Sequence, residues 1–335
     1  MSLLQDFFIL PPYKITSMKF LKLFALGICL SVFIFSCRND QEDFGVMRGI
    51  NYFSRHDAMP VQELVFDNSS GDLNDSLNKG SIISIGANCF VNEDGSAFSG
   101  KVYLTIKEAL CRGHMALNSL PTVNDLQPMT SEGSVYIHAT DVQGHELKIA
   151  AGKYIEVAIP GPVNATQNKM YYGDDNVSDP SIANSVLFNW HEASTDTVEY
   201  YWDIPASTFY YKMKPSELGW ITCARNITVN NPVGLKVRVR GVNPISHNNT
   251  AVYAVPVSGK SVFRLWNYDK PTNTFSLDQP YLSKGTGVRI VAISYGRHGI
   301  SYYGRADYTM GDNSEFVDSS EITSAGTMRL YLNNL

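Results

Sequence analysis

From residue 81 onward, apolar and polar residues alternate in short runs. Residues 81–85, 102–106, 135–139 and 154–159 each show period two over roughly five positions, the spacing of a strand with one buried face. Turn formers separate them: Asp94-Gly95 and Gln143-Gly144 supply the positive φ that tight connections need. No stretch of this region keeps a helical period beyond a turn or two. Pro160-Gly161-Pro162 ends the last run, because proline donates no hydrogen bond to a ladder.

The polar stretch that follows contains Asp174-Asp175-Asn176 and Asp179-Pro180, and it marks a domain boundary. Past it, residues 186–190 and 198–204 are expected to form a hairpin. Alternation returns at 235–240, 251–257, 261–265, 288–294 and 328–332. In the first of these Leu235, Val237 and Val239 face one way and Lys236, Arg238 and Arg240 the other, which predicts a half-buried strand with a basic outer face. Three cations on alternate positions suit an anionic glycan or phosphate, and they equally suit a solvated face that blunts edge pairing. The expected fold class is all-β: two β-sandwich-like domains behind a signal peptide.

The segment before Cys37 has another character. Met18 is followed by Lys19 and Lys22, then by the uncharged apolar run 23–35 and by Ser36-Cys37. A basic n-region, an apolar h-region and a small residue before a cleavage point describe a secretion signal. The run is shorter than the roughly 20 residues of a spanning helix, which disfavours an uncleaved anchor. This segment resembles the bacterial lipoprotein signal, in which the cysteine after the cut carries acyl chains. The resemblance implies lipidation of Cys37 and a lipid-anchored place in the cell envelope, on the periplasmic or the surface side. Residues 1–17 fit neither signal nor domain and are expected to be a non-native extension.

The organisation expected is thus 1–17 extension, 18–36 lipoprotein signal peptide, 37–48 acidic tether, 49–162 β-sandwich domain, 163–185 linker and 186–335 second β-rich domain. The tether Arg38-Asn39-Asp40-Gln41-Glu42-Asp43 is charged and stays hydrated. It resembles the acidic tract that sends some Bacteroidetes lipoproteins to the outer face of the outer membrane.

Composition narrows the function classes. Hydrophobic residues make up 44% of the chain and charged residues 18%, enough apolar content for packed cores. A net charge of −5 without clustered Lys and Arg argues against nucleic acid as a partner. With 19 Tyr and 16 Phe the chain has the aromatic content of strands. Cys89, Cys111 and Cys223 remain after the signal, an odd set in which no bridge is expected.

Residues 80–91 and 100–108, with the turn Asp94-Gly95 between them, resemble the N-terminal module of a family of uncharacterised Bacteroidetes lipoproteins. Gly86 stands where that family has proline, and Cys89 where it has alanine. The blocks 130–137 and 152–157 match its next segments. Leu218-Gly219-Trp220-Ile221-Thr222-Cys223-Ala224-Arg225 is similar to its leucine-glycine-tryptophan block, with Thr222 and Ala224 replacing asparagine and aspartate. The first module is distantly similar to the β-sandwich shared by netrin receptors and ankyrins. The resemblance implies docking and protein contact. Members of that wider group that cut themselves do so at histidine-phenylalanine-serine, and here no histidine precedes phenylalanine.

Catalytic and metal constellations are weak. His145-Glu146 and His191-Glu192 each lack the second histidine of a zinc helix. Cys111 and His114 have a thiol and a base three positions apart without an evident orienting carboxylate. Asp174, Asp175 and Asp179 have no EF-hand spacing. No catalytic residue, metal or cofactor is expected, and the chain is not expected to be an enzyme. Candidate binding residues are Trp190, Trp202 and Trp266, whose π faces suit sugar rings, together with Lys236, Arg238 and Arg240. Trp220, beside Gly219, is expected in the core. The expected partners are the membrane, through the acyl anchor, and an envelope protein or glycan. The function expected is a binding or scaffolding module at the outer membrane; a glycan-binding lipoprotein of a nutrient-uptake system and, more remotely, a glycan-active hydrolase with paired carboxylates are the alternatives.

Overall fold

The computed structural model describes residues 60–69, 72–162, 167–174, 188–194, 198–240, 245–246, 249–277, 279–295, 301–311, 314–319, 321–323 and 325–335. The extension, the signal, Cys37 and the tether lie outside the described residues, as does the segment 175–187. Among the described residues no helix is long and apolar enough to cross a membrane.

The fold is all-β with several separate sheets, and four of them carry the architecture. Sheet I orders Gln62–Asp67, Lys101–Ala109, Gln127–Thr140, Gly219–Asn226, Lys169–Asp174 and Asn189–Glu192, all antiparallel, with Val123–Asn124 pairing beside them. Sheet II orders Glu199–Asp203, Thr208–Met213, Ile155–Gly161, Ile82–Ile85 and Leu73–Ser76. Sheet III orders Phe263–Arg264, Thr250–Pro256, Gly287–Tyr295, Ser301–Thr309 and Glu321–Thr323, and sheet IV orders Asn267–Asp269, Thr274–Ser276, Leu235–Arg240 and Ser314–Ser319.

Side-chain alternation assigns each face to a core. Val102, Leu104, Ile106, Val135, Ile137 and Ile221 of sheet I meet Ile83, Ile85, Ile155, Val157 and Tyr211 of sheet II. Leu235, Val237 and Val239 of sheet IV meet Val252, Ala254, Val288 and Ile290 of sheet III. The other face of sheet I, with Tyr171, Trp190, Trp220 and Ala224, packs on Ala251, Tyr253, Val255 and Val291 from the other face of sheet III. Two sandwiches are therefore stacked through a third core, in the order II, I, III, IV. Where the inner sheets face each other their central strands are covered on both sides, which explains near-continuous apolar runs such as 250–256, buried at every position.

Two short helices close one end of the middle core. Helix α1 is Arg112–Leu117 and helix α2 is Ala325–Asn333. Period two at 328–332 predicted a strand here; Met328 and Leu332 are instead buried one helical turn apart against α1. The helices touch through Gly113, where an added Cβ would lie 1.7 Å from the carbonyl oxygen of Leu332. Arg112 fastens the pair, donating to the main-chain oxygens of Pro256, Val257 and Leu335.

Three expectations about organisation need correction. The expected linker 163–185 contains the strand Lys169–Asp174, which pairs with Gly219–Asn226, so chain from beyond that segment completes sheets I and II. The change from the first sandwich to the second falls after Asn226, because strand pairing there outweighs the polar composition that suggested a break. The hairpin expected of 186–190 and 198–204 is not formed by their described residues: Asn189–Glu192 joins sheet I, and Glu199–Asp203 joins sheet II. Leu235–Arg240 has the expected burial pattern but is no edge strand, since it pairs with Thr274–Ser276 on one side and Ser314–Ser319 on the other.

Glycine at 219 is set by the backbone and not by a neighbour. Nothing lies within 4 Å of its Cβ position, and its φ of +116° is what requires glycine. Gly173 is the residue that makes room for tryptophan: a Cβ there would meet Phe188, the Trp220 Cβ and the Trp190 ring.

Candidate functional site

The hairpin of Glu199–Asp203 and Thr208–Met213 forms one edge of sheet II. Its register sets Glu199 opposite Lys212, Tyr200 opposite Tyr211, Tyr201 opposite Tyr210, and Trp202 opposite Phe209. Alternation then gives the hairpin two aromatic faces. On one, Tyr211 is sealed in the core and its hydroxyl donates to the Pro162 carbonyl at 2.7 Å. Phe209, Tyr200 and Trp202 continue the row outward past the cover of sheet I. Tyr200 stacks parallel on Phe209 with centroids 4.8 Å apart, and Trp202 meets Phe209 edge-on at 4.5 Å. Trp202 is 48% exposed, and Ile204 at the turn is also open to solvent.

The opposite face is polar. Tyr201 stacks on Tyr210 at 5.7 Å, and the Tyr210 hydroxyl donates to the Gly80 carbonyl. Beside them Lys212 and Lys214 reach Glu199 at 2.9 and 2.6 Å and Glu156 at 3.8 and 4.0 Å. Lys214 also lies 5.6 Å from the ring centroid of the exposed Tyr154. Hydrogen bonds from Lys214 and then Lys212 pull the Glu199 carboxyl down to about 2, and the same bonds hold both ammonium groups above the usual lysine range. Burial, with Asp203 second, raises the Tyr201 and Tyr210 hydroxyls. The hairpin thus presents the exposed ring of Trp202 on one face and, on the other, fixed donors and acceptors whose charges are mutually compensated.

The other sequence candidates are dispersed. Trp190 is 1% exposed, with its ring on Phe188 and its indole N–H donating to the Pro121 carbonyl at 2.8 Å, so it is a core residue and no surface contact. Trp266 is half-buried under the Arg264 guanidinium, 3.7 Å from its ring centroid. Lys236 and Arg240 are exposed and Arg238 is half-buried on the outer side of sheet IV. Of the three candidate tryptophans, Trp202 is the one whose ring is exposed. Trp220 is buried against Tyr136, as expected.

The weaker constellations resolve into local structure. Cys111 is the N-cap of α1, and His114 turns instead to Asn333, with Nε2 and Oδ1 3.0 Å apart. His145 bonds Asp141 at 2.9 Å beside an open depression lined by Asn92, Glu93, Asp94, Glu146 and Lys148. Asp174 faces His191 at 3.6 Å, while Asp175 and Asp179 lie outside the described residues. Cys89, Cys111 and Cys223 are free thiols, and burial raises Cys89 to about 11.

Sequence reasoning missed a buried carboxylate. Between Cys223 and Ala224 the pairing with 127–140 shifts by one residue, and Glu132 occupies the bulge. It is almost wholly buried, meets Arg225 at 3.0 Å, and accepts from the Lys260 ammonium through its main-chain carbonyl at 2.8 Å. Arg225 also donates to Asn168. Lys260 reaches over from the second sandwich, and its neighbours Ser261 and Val262 bond Met129 and Thr122. This cluster joins the two sandwiches. The adjacency of a glutamate to Gly133-Ser134 was visible in sequence, but the bulge that turns it inward was not.

The chain matches no protein-family model and no curated protein sequence.

Proposed function

We propose that this chain is a lipid-anchored cell-envelope protein, held at the outer membrane by acyl chains on Cys37, that binds glycan through the edge hairpin of sheet II. The observation that carries the reading is the exposure of Trp202, continued inward along the same face by Tyr200, Phe209 and Tyr211. An indole face takes the C–H side of a pyranose. The ion pairs on the other face of the hairpin disfavour hydrolysis there, since a general acid needs a carboxyl raised toward neutrality and Glu199 is held near the bottom of its range. The resemblance to envelope lipoproteins with a docking module points the same way.

Labelled palmitate and affinity electrophoresis test the two halves. The full chain should take up the label, and Cys37→Ala should lose both label and membrane retention; acyl chains contribute roughly 0.8 kcal/mol per buried methylene, so two or more hold stably. In gels cast with soluble polysaccharides, the full chain should be retarded by at least one and Trp202→Ala should not. Label persisting on Cys37→Ala would remove the anchor, and equal retardation of parent and Trp202→Ala would remove the site.

A further inference from the structure

Arg264 is a buried cation without a counter-charge. It sits on the edge strand Phe263–Arg264 of sheet III, opposite Tyr253, and is 4% exposed. Its guanidinium lies 3.7 Å from the ring centroid of Trp266 and 5.9 Å from that of Tyr253. Among the described residues these ring contacts are all that the group makes: no carboxylate pairs with it and no carbonyl accepts from it. A buried charge left in this state is costly, and the cost is relieved by pairing. Burial lowers its proton affinity from the usual arginine range, though a guanidinium stays charged at any physiological pH.

A charged fork stacked on an indole and left without an acceptor has the geometry that recognises two oxygens of one anion. We propose that Arg264 is the recognition group of a small-oxyanion site in the second sandwich, taking a carboxylate or phosphate with Trp266 as its wall. The site is separate from the sheet II hairpin and does not depend on glycan binding there.

The test uses the full chain in detergent, with inorganic phosphate and acetate titrated against chloride at constant ionic strength. Melting temperature and tryptophan fluorescence are read together. At about 100 times its Kd a bound anion should raise the melting temperature by several degrees, saturably, and the fluorescence should change over the same range because Trp266 stacks on the group that binds. Arg264→Met should abolish both responses and should melt no lower than the parent in chloride alone, having lost an unpaired buried charge. Arg264→Lys keeps the charge and loses the fork, so its midpoint should shift at least tenfold; it also serves if the methionine variant fails to fold. Phosphate against acetate separates a tetrahedral from a planar ligand, and saturable binding of either sustains the site. A parent with no saturable response to either anion, or an Arg264→Lys midpoint equal to the parent's, would overturn the proposal.

Discussion

The Lys260 ammonium donates to the Glu132 main-chain carbonyl at 2.8 Å, while the Glu132 carboxylate faces Arg225 at 3.0 Å. One bulge residue thereby holds a cation from each sandwich, through its backbone on one side and its side chain on the other. Arg225→Ala removes the ion-pair partner of the buried carboxylate, leaving Lys260 as its nearby cation, and should cost about 3 kcal/mol. Glu132→Gln keeps an acceptor for Arg225 and should cost clearly less. Urea unfolding of the two variants measures the difference, and equal losses would show that charge compensation is not what the bulge supplies.

Acid should loosen the helical end of the middle core through His114. Burial, with Lys79 second, lowers its pKa from 6.5 in the folded state, against a smaller upward pull from the Asn333 bond. The unfolded chain then takes a proton that the folded chain resists, so stability is full above pH 6.5 and is lost as pH falls toward the folded value. His114→Gln retains a donor for Asn333 and removes the titration. Between pH 7 and 5 the melting temperature of the parent should fall more steeply than that of the variant; parallel curves would assign the acid sensitivity elsewhere.

Two glycines should answer oppositely to the same change. Gly113→Ala places a methyl on the Leu332 carbonyl and should force the helices apart, with a loss of about 1 to 3 kcal/mol and faster proteolysis after residue 325. Gly234 has nothing within 4 Å and no positive φ, so Gly234→Ala should stay within about 0.5 kcal/mol of the parent. Thermal melts decide both.

The tryptophans should divide by burial. Trp190→Ala and Trp220→Ala should each cost about 3 to 5 kcal/mol, a large share of a domain's stability. Trp202→Ala gives up mainly its edge contact with Phe209 and should cost about 1 kcal/mol. A Trp202→Ala loss as large as that of Trp220→Ala would mean that the hairpin is part of the core and not a platform above it.

Much of this architecture was legible where local period and burial agree. Leu235, Val237 and Val239 are buried and alternate with Lys236, Arg238 and Arg240 as their spacing implies. The period misled at 328–332, because Met328 and Leu332 fit period two and a helical turn equally well in so short a run. Trp190 and Trp202 could not be told apart either. Both lie on short aromatic strands, and what separates them is that sheet III covers one while the other overhangs the first sandwich. Arg264 gave no signal, since an arginine between Phe263 and Leu265 reads as the polar position of an alternating strand until its neighbours are in place. The domain boundary was misplaced because the stretch after Pro162 contains the strand Lys169–Asp174, whose pairing in sheet I its polar neighbours gave no sign of.

The stacking of sheets I and III has a consequence for dissecting this protein. Each inner sheet meets a hydrophobic core on both faces, so cutting the chain after Asn226 would strip one broad greasy surface from each half at once. Neither fragment would behave as a miniature of the parent; each should aggregate or recruit a stranger to cover itself. Deletion mapping would then report loss of whatever is assayed, wherever the true contact lies, and single-residue changes are the tools this scaffold permits.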